Sequence, residues 1–487
     1  MIASNNIIDN LYLKEDLSSL QICFTSSRII YIIIHMIYKT SDTLDKKAMH
    51  SMAEILDWIK SRGDSLSVSV DHISLDKCTP WYYDEEEGCI RDKNRNFFQI
   101  YGLHQYRGND LLSEQPVIVQ DEIGFLGIIA CKTDDVWHYL MQAKIEPGNV
   151  NVVQVSPTLQ ATRSNFTGKH GGRIPEYLEL FLHADPTDII VDQIQSEQSS
   201  RFLKKRNRNV IIQTGELLPE SDSHKWMTLR QIKELLRYDN LVNMDTRTVL
   251  SCMPYVLMGE NADVPFDDKS YFYKTAGSLD HQTIAELYHE INDIKMLGDY
   301  RSELVPLRSL NTWEMKGQEL VSKNEYPFRV IFCDISIEGR EVTRWKQPLF
   351  ASNGRAVFGL ICCDDNGTLK FLVKARPEPG CFDTVEIGPT IQSEWSSRGY
   401  ETKDEIESFF FRRLEKGDVL IDRILSEEGG RFYQEENRNV IMKIEKEETG
   451  PLPPGYVWSD YGTLNILTQI NNCLNIQLRN LLTLLEF

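Results

Sequence analysis

Residues 192–211 read DQIQSEQSSRFLKKRNRNVI, and residues 422–441 read DRILSEEGGRFYQEENRNVI. Eleven of the 20 aligned positions are identical, which chance does not produce in two stretches of one chain. The separation of 230 residues is far longer than the repeating unit of a solenoid protein. The repeat therefore predicts a duplicated domain.

Shorter motifs extend this duplication at an offset of 232 residues. They are the Gln-Pro pairs 115–116 and 347–348, the Glu-Pro-Gly triplets 146–148 and 378–380, and the Pro-Thr pairs 157–158 and 389–390. We therefore expect a first copy over residues 51–255 and a second copy over residues 321–487, joined by a helical connector over residues 256–320. Residues 1–50 are an N-terminal extension to which the sequence assigns no role.

The two copies also share a pattern of strands and helices. Residues 123–132 and 136–144 read as a hairpin, and the second copy repeats it around Asn366-Gly367, a dipeptide that favours a tight type I′ turn. Residues 189–198 and 419–428 carry apolar residues three to four positions apart, which predicts a helix in each copy. Each copy is therefore expected to be an α/β (α+β) domain, with a mixed sheet flanked by helices.

Length and composition exclude several classes of protein. A chain of 487 residues is long enough for two hydrophobic cores. The net charge of -19 repels polyanions and argues against nucleic acid or a membrane surface as the partner. The ten cysteines lack CxxC pairing and indicate buried thiols in a cytoplasmic protein, and the most apolar run, residues 29–38, is too short to span a bilayer.

Two polar clusters of the first copy are candidate ligand-binding elements. Residues 156–172, which follow a predicted strand, bring together hydroxyl, amide, arginine and histidine side chains. Residues 196–209 carry five cations, and guanidinium groups bind phosphate oxygens bidentately. Each cluster taken alone is also explained as a turn or as a solvated basic surface, whereas the two together favour a binding site.

Residues 142–172, 192–209 and 243–250 resemble the nucleoside-diphosphate-hexose 2,3-dehydratases of deoxysugar biosynthesis. The resemblance covers almost the whole chain after residue 50. It implies a Nudix-like fold in each copy, a homodimer, and a nucleotide-sugar pocket in each copy, of which one is catalytic. The implied reaction dehydrates an NDP-4-keto-6-deoxyhexose, in the family usually dTDP-4-keto-6-deoxyglucose. Its 3,4-diketo-2,6-dideoxyhexose product would pass to an NADPH-dependent 3-ketoreductase.

The Nudix part of this resemblance has its own pattern, REuxEExGu, in which u is a bulky apolar residue. Residues 192–199 and 422–429 fit its register, but most of the glutamates that bind magnesium in Nudix hydrolases are replaced. Because pyrophosphate hydrolysis needs carboxylate ligands for Mg²⁺, we expect neither a metal nor another cofactor. Two alternatives stay open: a Mg-dependent Nudix-type nucleotide-sugar pyrophosphatase and a non-catalytic nucleotide-sugar-binding protein.

Dehydration requires a base for the C3 proton, donors for the enolate and an acid for the departing C2 hydroxyl. Glu197 and His170 are the candidate acid and base, in either order, although Glu197 could instead be a structural helix carboxylate paired with Arg201. The candidate substrate-binding residues are Thr158, Gln160, Arg163 and Asn165 for the hexose and its enolate, Arg201, Lys204, Arg206 and Arg208 for the diphosphate, and Asn209, Trp226, Asn243 and Arg247. Trp226 is one aromatic residue on which the base could stack.

The two copies differ at positions that bear on catalysis. At the positions of His170, Arg163 and Lys205, the second copy has Thr402, Trp395 and Glu435. We therefore expect the active pocket in the first copy and a vestigial or structural pocket in the second. This expectation assumes that each pocket is built mainly from its own copy.

Overall fold

The computed structural model describes residues 48–485, except residues 96, 135, 163–174, 255–274, 276–277, 339–341, 401, 403 and 418. The apolar run at residues 29–38 and the predicted site residues Arg163, Asn165 and His170 lie outside the described residues. Within the described part, no helix combines the length and the apolar character needed to cross a bilayer. The nine cysteines of that part are buried free thiols.

The elements of the first copy open with a helix and continue with a series of strands. The strands are β1 (Val68–Ile73), β2 (Trp81–Asp84), β3 (Cys89–Asp92), β4 (Gln99–Arg107), β5 (Asp110–Val119), β6 (Gly124–Thr133), β7 (Val136–Ile145), β8 (Val153–Ser156), β9 (Leu159–Ala161), β10 (Ile189–Ser196), β11 (Phe202–Leu203), β12 (Arg206–Thr214) and β13 (His224–Thr228). The helices are α1 (Met52–Asp64), α2 (Leu178–Leu182), α3 (Leu229–Leu235) and α4 (Met244–Ser251).

The connector and the second copy give a matching set of elements. The strands are β14 (Tyr300–Val305), β15 (Trp313–Lys316), β16 (Glu319–Ser322), β17 (Phe328–Ile337), β18 (Arg344–Ser352), β19 (Val357–Asp365), β20 (Thr368–Pro377), β21 (Val385–Pro389), β22 (Ile391–Ser393), β23 (Ile421–Ser426), β24 (Phe432–Tyr433), β25 (Glu436–Ile444) and β26 (Tyr456–Asp460). The helices are α5 (His281–Leu297), α6 (Glu405–Leu414), α7 (Tyr461–Leu467) and α8 (Ile476–Thr483).

The described strands form four sheets, two for each copy. A seven-stranded sheet has the order β10-β12-β6-β7-β13, with β8 on β7 and β9 on β6, and its counterpart runs β23-β25-β19-β20, with β21, β22 and β26 in the equivalent places. In both sheets one central pair, β6–β12 or β19–β25, is parallel and the other pairs are antiparallel. The predicted duplication and the mixed α/β class are confirmed.

The predicted hairpins are confirmed, whereas the predicted helices at residues 189–198 and 419–428 are wrong. The first pair of hairpin strands is β6–β7, and the second turns at Asn366-Gly367, where both residues have positive φ as a type I′ turn requires. The residues expected to form helices are strands β10 and β23. Their β-branched residues suit a strand, and pairing with β12 or β25 satisfies their backbone. The match to a Nudix helix at these residues therefore fails.

The two copies exchange their first strands. β1 precedes the first copy's other strands but pairs with β17 of the second copy, and β14 pairs with β4 of the first copy. Because β14 lies 232 residues after β1, the exchange is reciprocal. Among the described residues of the expected helical connector, α5 is a helix, whereas residues 300–305, 313–316 and 319–322 are strands.

One of the hydrophobic clusters extends across both copies. The largest cluster of buried apolar side chains includes residues of both seven-stranded sheets and of the central helices. Helices α4 and α8 pack against each other, all their residues are buried, and Asn243 or Asn475 caps each N-terminus. The duplicated units are therefore joined across an interface as closed as a domain interior.

Candidate active site

The Glu-Pro-Gly turn of each copy contacts the loop that follows β10 or β23 in the other copy. Gly148 donates its N–H to the carbonyl of Gly429 at 2.8 Å and accepts from the N–H of Gln434 at 2.7 Å. The equivalent turn repeats both bonds, from Gly380 to Ser199 at 2.9 Å and from Lys204 to Gly380 at 2.7 Å. We call the region around the first copy's turn the first pocket, and its counterpart the second pocket. Each of these two regions is built from residues of both copies, whereas the sequence analysis assumed that a pocket is built mainly from its own copy.

Glycine is required at these two turns because the neighbouring backbone is very close. A Cβ atom on Gly148 would lie 1.6 Å from the carbonyl oxygen of Phe432, and one on Gly380 would lie 1.8 Å from that of Phe202. Any side chain at either position would therefore push the copies apart.

Polar side chains at the end of β7 and β9 line one side of the first pocket. The Gln160 amide donates to Glu146 Oε1 at 3.3 Å, and Lys144 Nζ lies 3.2 Å from the same oxygen. Asn243 Nδ2, at the start of α4, lies 3.3 Å from Gln160 Oε1 and 3.2 Å from the Ser156 hydroxyl. These contacts hold two amides and one carboxylate in fixed orientations.

Carboxyl groups of both copies interact electrostatically near the first turn. Glu146, Asp245 and Glu197 come from the first copy, and Glu428 comes from the second copy. Burial, followed by the Glu146 carboxylate, raises the pKa of Glu428, and burial together with the neighbouring carboxylates raises that of Asp245 well above its ordinary value. Because like charges repel, ionisation of one of these carboxyl groups favours the neutral form of its neighbours.

Cations of both copies face the same carboxyl groups. Arg431 of the second copy lies over the Phe98 ring at 4.4 Å and donates to Gln120 Oε1 at 3.3 Å. Among the described residues, no carboxylate oxygen lies within 4.0 Å of its guanidinium nitrogens. Lys205 is 7% exposed and donates to the Glu122 carbonyl, and burial lowers its pKa to about 8.

The second pocket has a different set of charges at the equivalent positions. Arg201, the counterpart of Arg431, forms a bidentate pair with Glu394 at 3.1 and 3.0 Å and lies over the Phe328 ring at 4.2 Å. Gln198 and Gln477 replace Glu428 and Asp245. Both Arg201 and Gln198 are only 2% exposed, whereas Arg431 and Glu428 are half-buried. The first pocket therefore has the more accessible guanidinium group, and it has carboxyl groups at two positions where the second pocket has amides.

The structure brings some of the predicted site residues together. Gln160 and Asn243 lie in the first pocket, as described above, and Glu197, which is 5% exposed, interacts electrostatically with Asp245 and Glu428. Glu197 Oε2 accepts from Asn207 at 2.5 Å, and Glu427 and Asn437 repeat this bond in the second copy at 2.6 Å. Glu197 is therefore not the helix carboxylate paired with Arg201 that the sequence left open.

The predicted phosphate-binding cations lie elsewhere. Arg201 belongs to the second pocket, and Arg208 pairs bidentately with Asp192 across β10 and β12 at 2.6 and 2.5 Å. Arg206 lies over the ring of Phe382 at 4.0 Å, and Lys204 is exposed with a positive φ. The pair of Arg208 with Asp192 recurs as Arg438 with Asp422, which accounts for an arginine at this position in both copies. Arg201 and Arg431 share a contact with a phenylalanine ring, but Arg431 has no counterpart of the Glu394 pair among the described residues.

The other predicted binding residues are buried in the framework. Thr158 donates its hydroxyl to the Leu140 carbonyl and accepts from the Ile129 N–H at 2.9 Å. Trp226 is fully buried and donates to the Leu218 carbonyl at 2.9 Å, so its ring packs in the core. Asn209 is likewise fully buried and donates to the Asn207 carbonyl at 3.1 Å.

Arg247 holds the copies together. It is 1% exposed and donates to the carbonyls of Val242 at 2.8 Å and Ser426 at 2.7 Å, the latter in the second copy. Arg479 repeats the arrangement in reverse, with a bond to the Ser196 carbonyl at 2.5 Å. Each arginine thus anchors the start of the loop that enters the other copy's pocket.

Sequence reasoning did not select Glu146, Lys144, Asp245, Glu428 or Arg431 as site residues. Glu146 lies in a repeated triplet and Asp245 lies in the segment 243–250. The difference between SEQSS in the first copy and SEEGG in the second is a sequence signal that could have identified Glu428, but only the crossed arrangement shows which turn it approaches. In the described part of the chain, no group of three His, Cys, Asp or Glu side chains is arranged to hold a metal ion.

Comparison with known proteins identifies the family to which this sequence is similar. The family described as NDP-hexose 2,3-dehydratase matches residues 52–253 and again residues 284–485. The chain is 35% identical over 437 residues to a dTDP-4-dehydro-6-deoxy-alpha-D-glucopyranose 2,3-dehydratase of Saccharopolyspora spinosa, covering 88% of this chain and 90% of that protein. Proteins of the same description from Amycolatopsis orientalis and Streptomyces violaceoruber are 35% identical over 434 residues and 36% identical over 432 residues. Each alignment covers 87% of this chain, with 88% and 95% of the respective relative.

Proposed function

Because this chain belongs to the NDP-hexose 2,3-dehydratase family, we propose that its first pocket removes water from C2 and C3 of dTDP-4-keto-6-deoxyglucose. The observation that carries the reaction is the family match over both copies, together with relatives described as 2,3-dehydratases along almost their whole length. The product is a 3,4-diketo-2,6-dideoxyhexose, which belongs to deoxysugar biosynthesis.

The chemistry requires proton transfer at two carbons. The C4 ketone makes the C3 proton acidic, and its removal gives an enolate that expels the C2 hydroxyl. Acid assistance at that hydroxyl, and donors near the C4 oxygen, lower the barrier. In the first pocket, these needs can be met by the buried carboxyl groups and by the cations Lys144, Lys205 and Arg431.

The charged side chains of the two pockets support the first pocket as the place of the reaction. Arg431 has no carboxylate partner among the described residues, so it is available for an anionic group of the nucleotide sugar. Arg201 in the second pocket is already neutralised by Glu394. We assign Gln160 and Asn243 to the sugar hydroxyls, and we retain Arg163, Asn165 and His170 as predictions for the hexose.

Further proposals rest on the family resemblance and on composition. We propose a Nudix-like fold for each copy, a homodimer, a cytoplasmic location and transfer of the product to an NADPH-dependent 3-ketoreductase. The net charge of -19 supports the absence of nucleic acid and of membranes as partners.

The test is a mass measurement. Purified protein is incubated with dTDP-4-keto-6-deoxyglucose in EDTA, and products are trapped with an NADPH-dependent 3-ketoreductase. Loss of one water from the nucleotide sugar is expected. An unchanged mass would favour a non-catalytic binding protein. Thymidine monophosphate that forms only after Mg²⁺ is restored would favour a pyrophosphatase.

A further inference from the structure

Two carboxyl groups distinguish the first pocket from the second. Asp245 stands where the second pocket has Gln477, and Glu428 stands where it has Gln198. Amides have the same shape as carboxyl groups but cannot transfer protons at neutral pH. The two pockets thus differ in their capacity for acid–base chemistry at these two positions.

We propose that Asp245 is the general acid that protonates the departing C2 hydroxyl, and that Glu428 of the second copy is the base that removes the C3 proton. The inference rests on the proposed function and assigns its two proton transfers. The copies then share one catalytic site, because each supplies one of the two groups.

Asp245 is placed to act as an acid. It lies on the first turn of α4, which is fixed by the Asn243 cap and by packing against α8. Its side chain is 2% exposed, and Oδ2 has no hydrogen-bond partner among the described residues. Burial and three neighbouring carboxylates, those of Glu428, Glu197 and Glu146, favour the neutral carboxyl group. A neutral carboxyl group without an internal acceptor can donate its proton to a bound ligand.

Glu428 is placed to act as a base. Its Oε1 accepts from the N–H of Gly430 at 2.9 Å, and Oε2 has no partner among the described residues. A Cβ atom on Gly430 would lie 2.1 Å from Oε1, so a side chain there would displace the Glu428 carboxylate from its present position. The first copy has Ser200 at that position and Gln198 at the position of Glu428. The carboxylate of Glu428 and the glycine beside it therefore occur together in the first pocket, and the second pocket has neither.

The two groups complete a balanced elimination. Glu428 takes the C3 proton, and the electron pair of that bond forms the C3–C4 enolate. The enolate then re-forms the C4 carbonyl, a C2–C3 double bond forms, and the C2–O bond breaks as Asp245 supplies a proton to release water. The C3 enol tautomerises to the ketone. The pair is reset when the proton gained by Glu428 returns to Asp245 through water.

Two variants and two readouts separate the roles. The readouts are loss of water and incorporation of solvent deuterium at C3 of unreacted substrate. We expect Asp245→Asn to slow dehydration by about 10²–10⁴-fold while deuterium still enters C3, because only the acid is lost. Glu428→Gln should abolish both. Gln477→Asn in the second pocket serves as the control and should leave both readouts unchanged.

Each outcome decides between the proposals. If the wild-type protein does not dehydrate the substrate, the proposed function fails. If it does, but Asp245→Asn dehydrates at the wild-type rate or Glu428→Gln still exchanges the C3 proton, the assignment of that residue is wrong. Should Asp245→Asn not fold, Asp245→Gln, which reproduces the second pocket, is compared with Asp245→Glu. A carboxyl group at this position must restore dehydration that the amide of equal length lacks, and equal rates would overturn the assignment.

Discussion

Replacement of Glu386 by glutamine should stabilise the protein at alkaline pH. Glu386 is 1% exposed, and its carboxylate accepts a hydrogen bond from the Ser196 hydroxyl of the other copy at 2.7 Å. Burial is the main cause that raises its pKa to about 8. At the equivalent position the first copy has Gln154, whose amide donates to the Asn240 carbonyl and to the Ser426 hydroxyl. The variant therefore gives the second copy the glutamine that the first copy already has at this position.

The sign and size of the effect follow from the pKa. A raised pKa means that the folded protein favours the neutral acid, so stability is retained below pH 4.5 and is lost as the pH rises to about 8. The displacement from 4.5 to about 8 corresponds to an upper limit of roughly 5 kcal/mol. Glutamine removes this loss. The gain in free energy of unfolding should therefore be near zero at pH 4 and about 2–4 kcal/mol at pH 8.5.

The assay is urea unfolding followed by tryptophan fluorescence at several pH values. Gln154→Glu is the matched control, because it should introduce the same pH-dependent loss in the first copy. A gain in the free energy of unfolding that is independent of pH, or no gain above pH 8, would refute the conclusion that burial disfavours the charged form of Glu386.

Three further predictions concern the joined copies. Gly148→Ala should destabilise by about 3 kcal/mol or more in urea unfolding, because its Cβ would overlap the Phe432 carbonyl, whereas Gly215→Ala, in open space, should not. Glu394→Gln removes the bidentate partner of Arg201 and leaves Glu435, at 3.9 Å, as its remaining carboxylate. The free energy of unfolding should therefore fall by about 1–3 kcal/mol, a range discounted because Glu394 is 37% exposed, and an unchanged midpoint would contradict this. Residues 48–254 alone lack β14, and should show cooperative unfolding by circular dichroism only after mixing with residues 278–485.

Much of the fold could be predicted from the sequence, because repeats and hairpins are local signals. The Asn366-Gly367 turn needs only its two residues, and both have the expected positive φ. The failed helices at residues 189–198 and 419–428 show the limit of periodicity. Apolar residues in short runs fit either a helix or a strand, and pairing with residues ten or more positions further along the chain decided the outcome.

The site was harder to predict because it depends on contacts between the copies. The basic cluster 196–209 and the polar segment 156–172 belong to one copy, yet Arg201 serves the other copy's pocket. The spacing of residues in the sequence does not indicate that a loop of one copy enters the pocket of the other. That arrangement follows from the exchange of strands and from the contacts of Gly148 and Gly380. Asp245 was missed because a single carboxyl group in a helix becomes notable only when its surroundings are known.

The central claim is that dehydration takes place in the first pocket, assembled from both copies. The most direct test is a crystal structure of the Asp245→Asn variant with dTDP-4-keto-6-deoxyglucose. We predict the C2 hydroxyl within hydrogen-bond distance of residue 245, with Glu428 facing the C3 proton. A hexose bound with C2 and C3 away from both residues, or bound in the second pocket alone, would contradict the account.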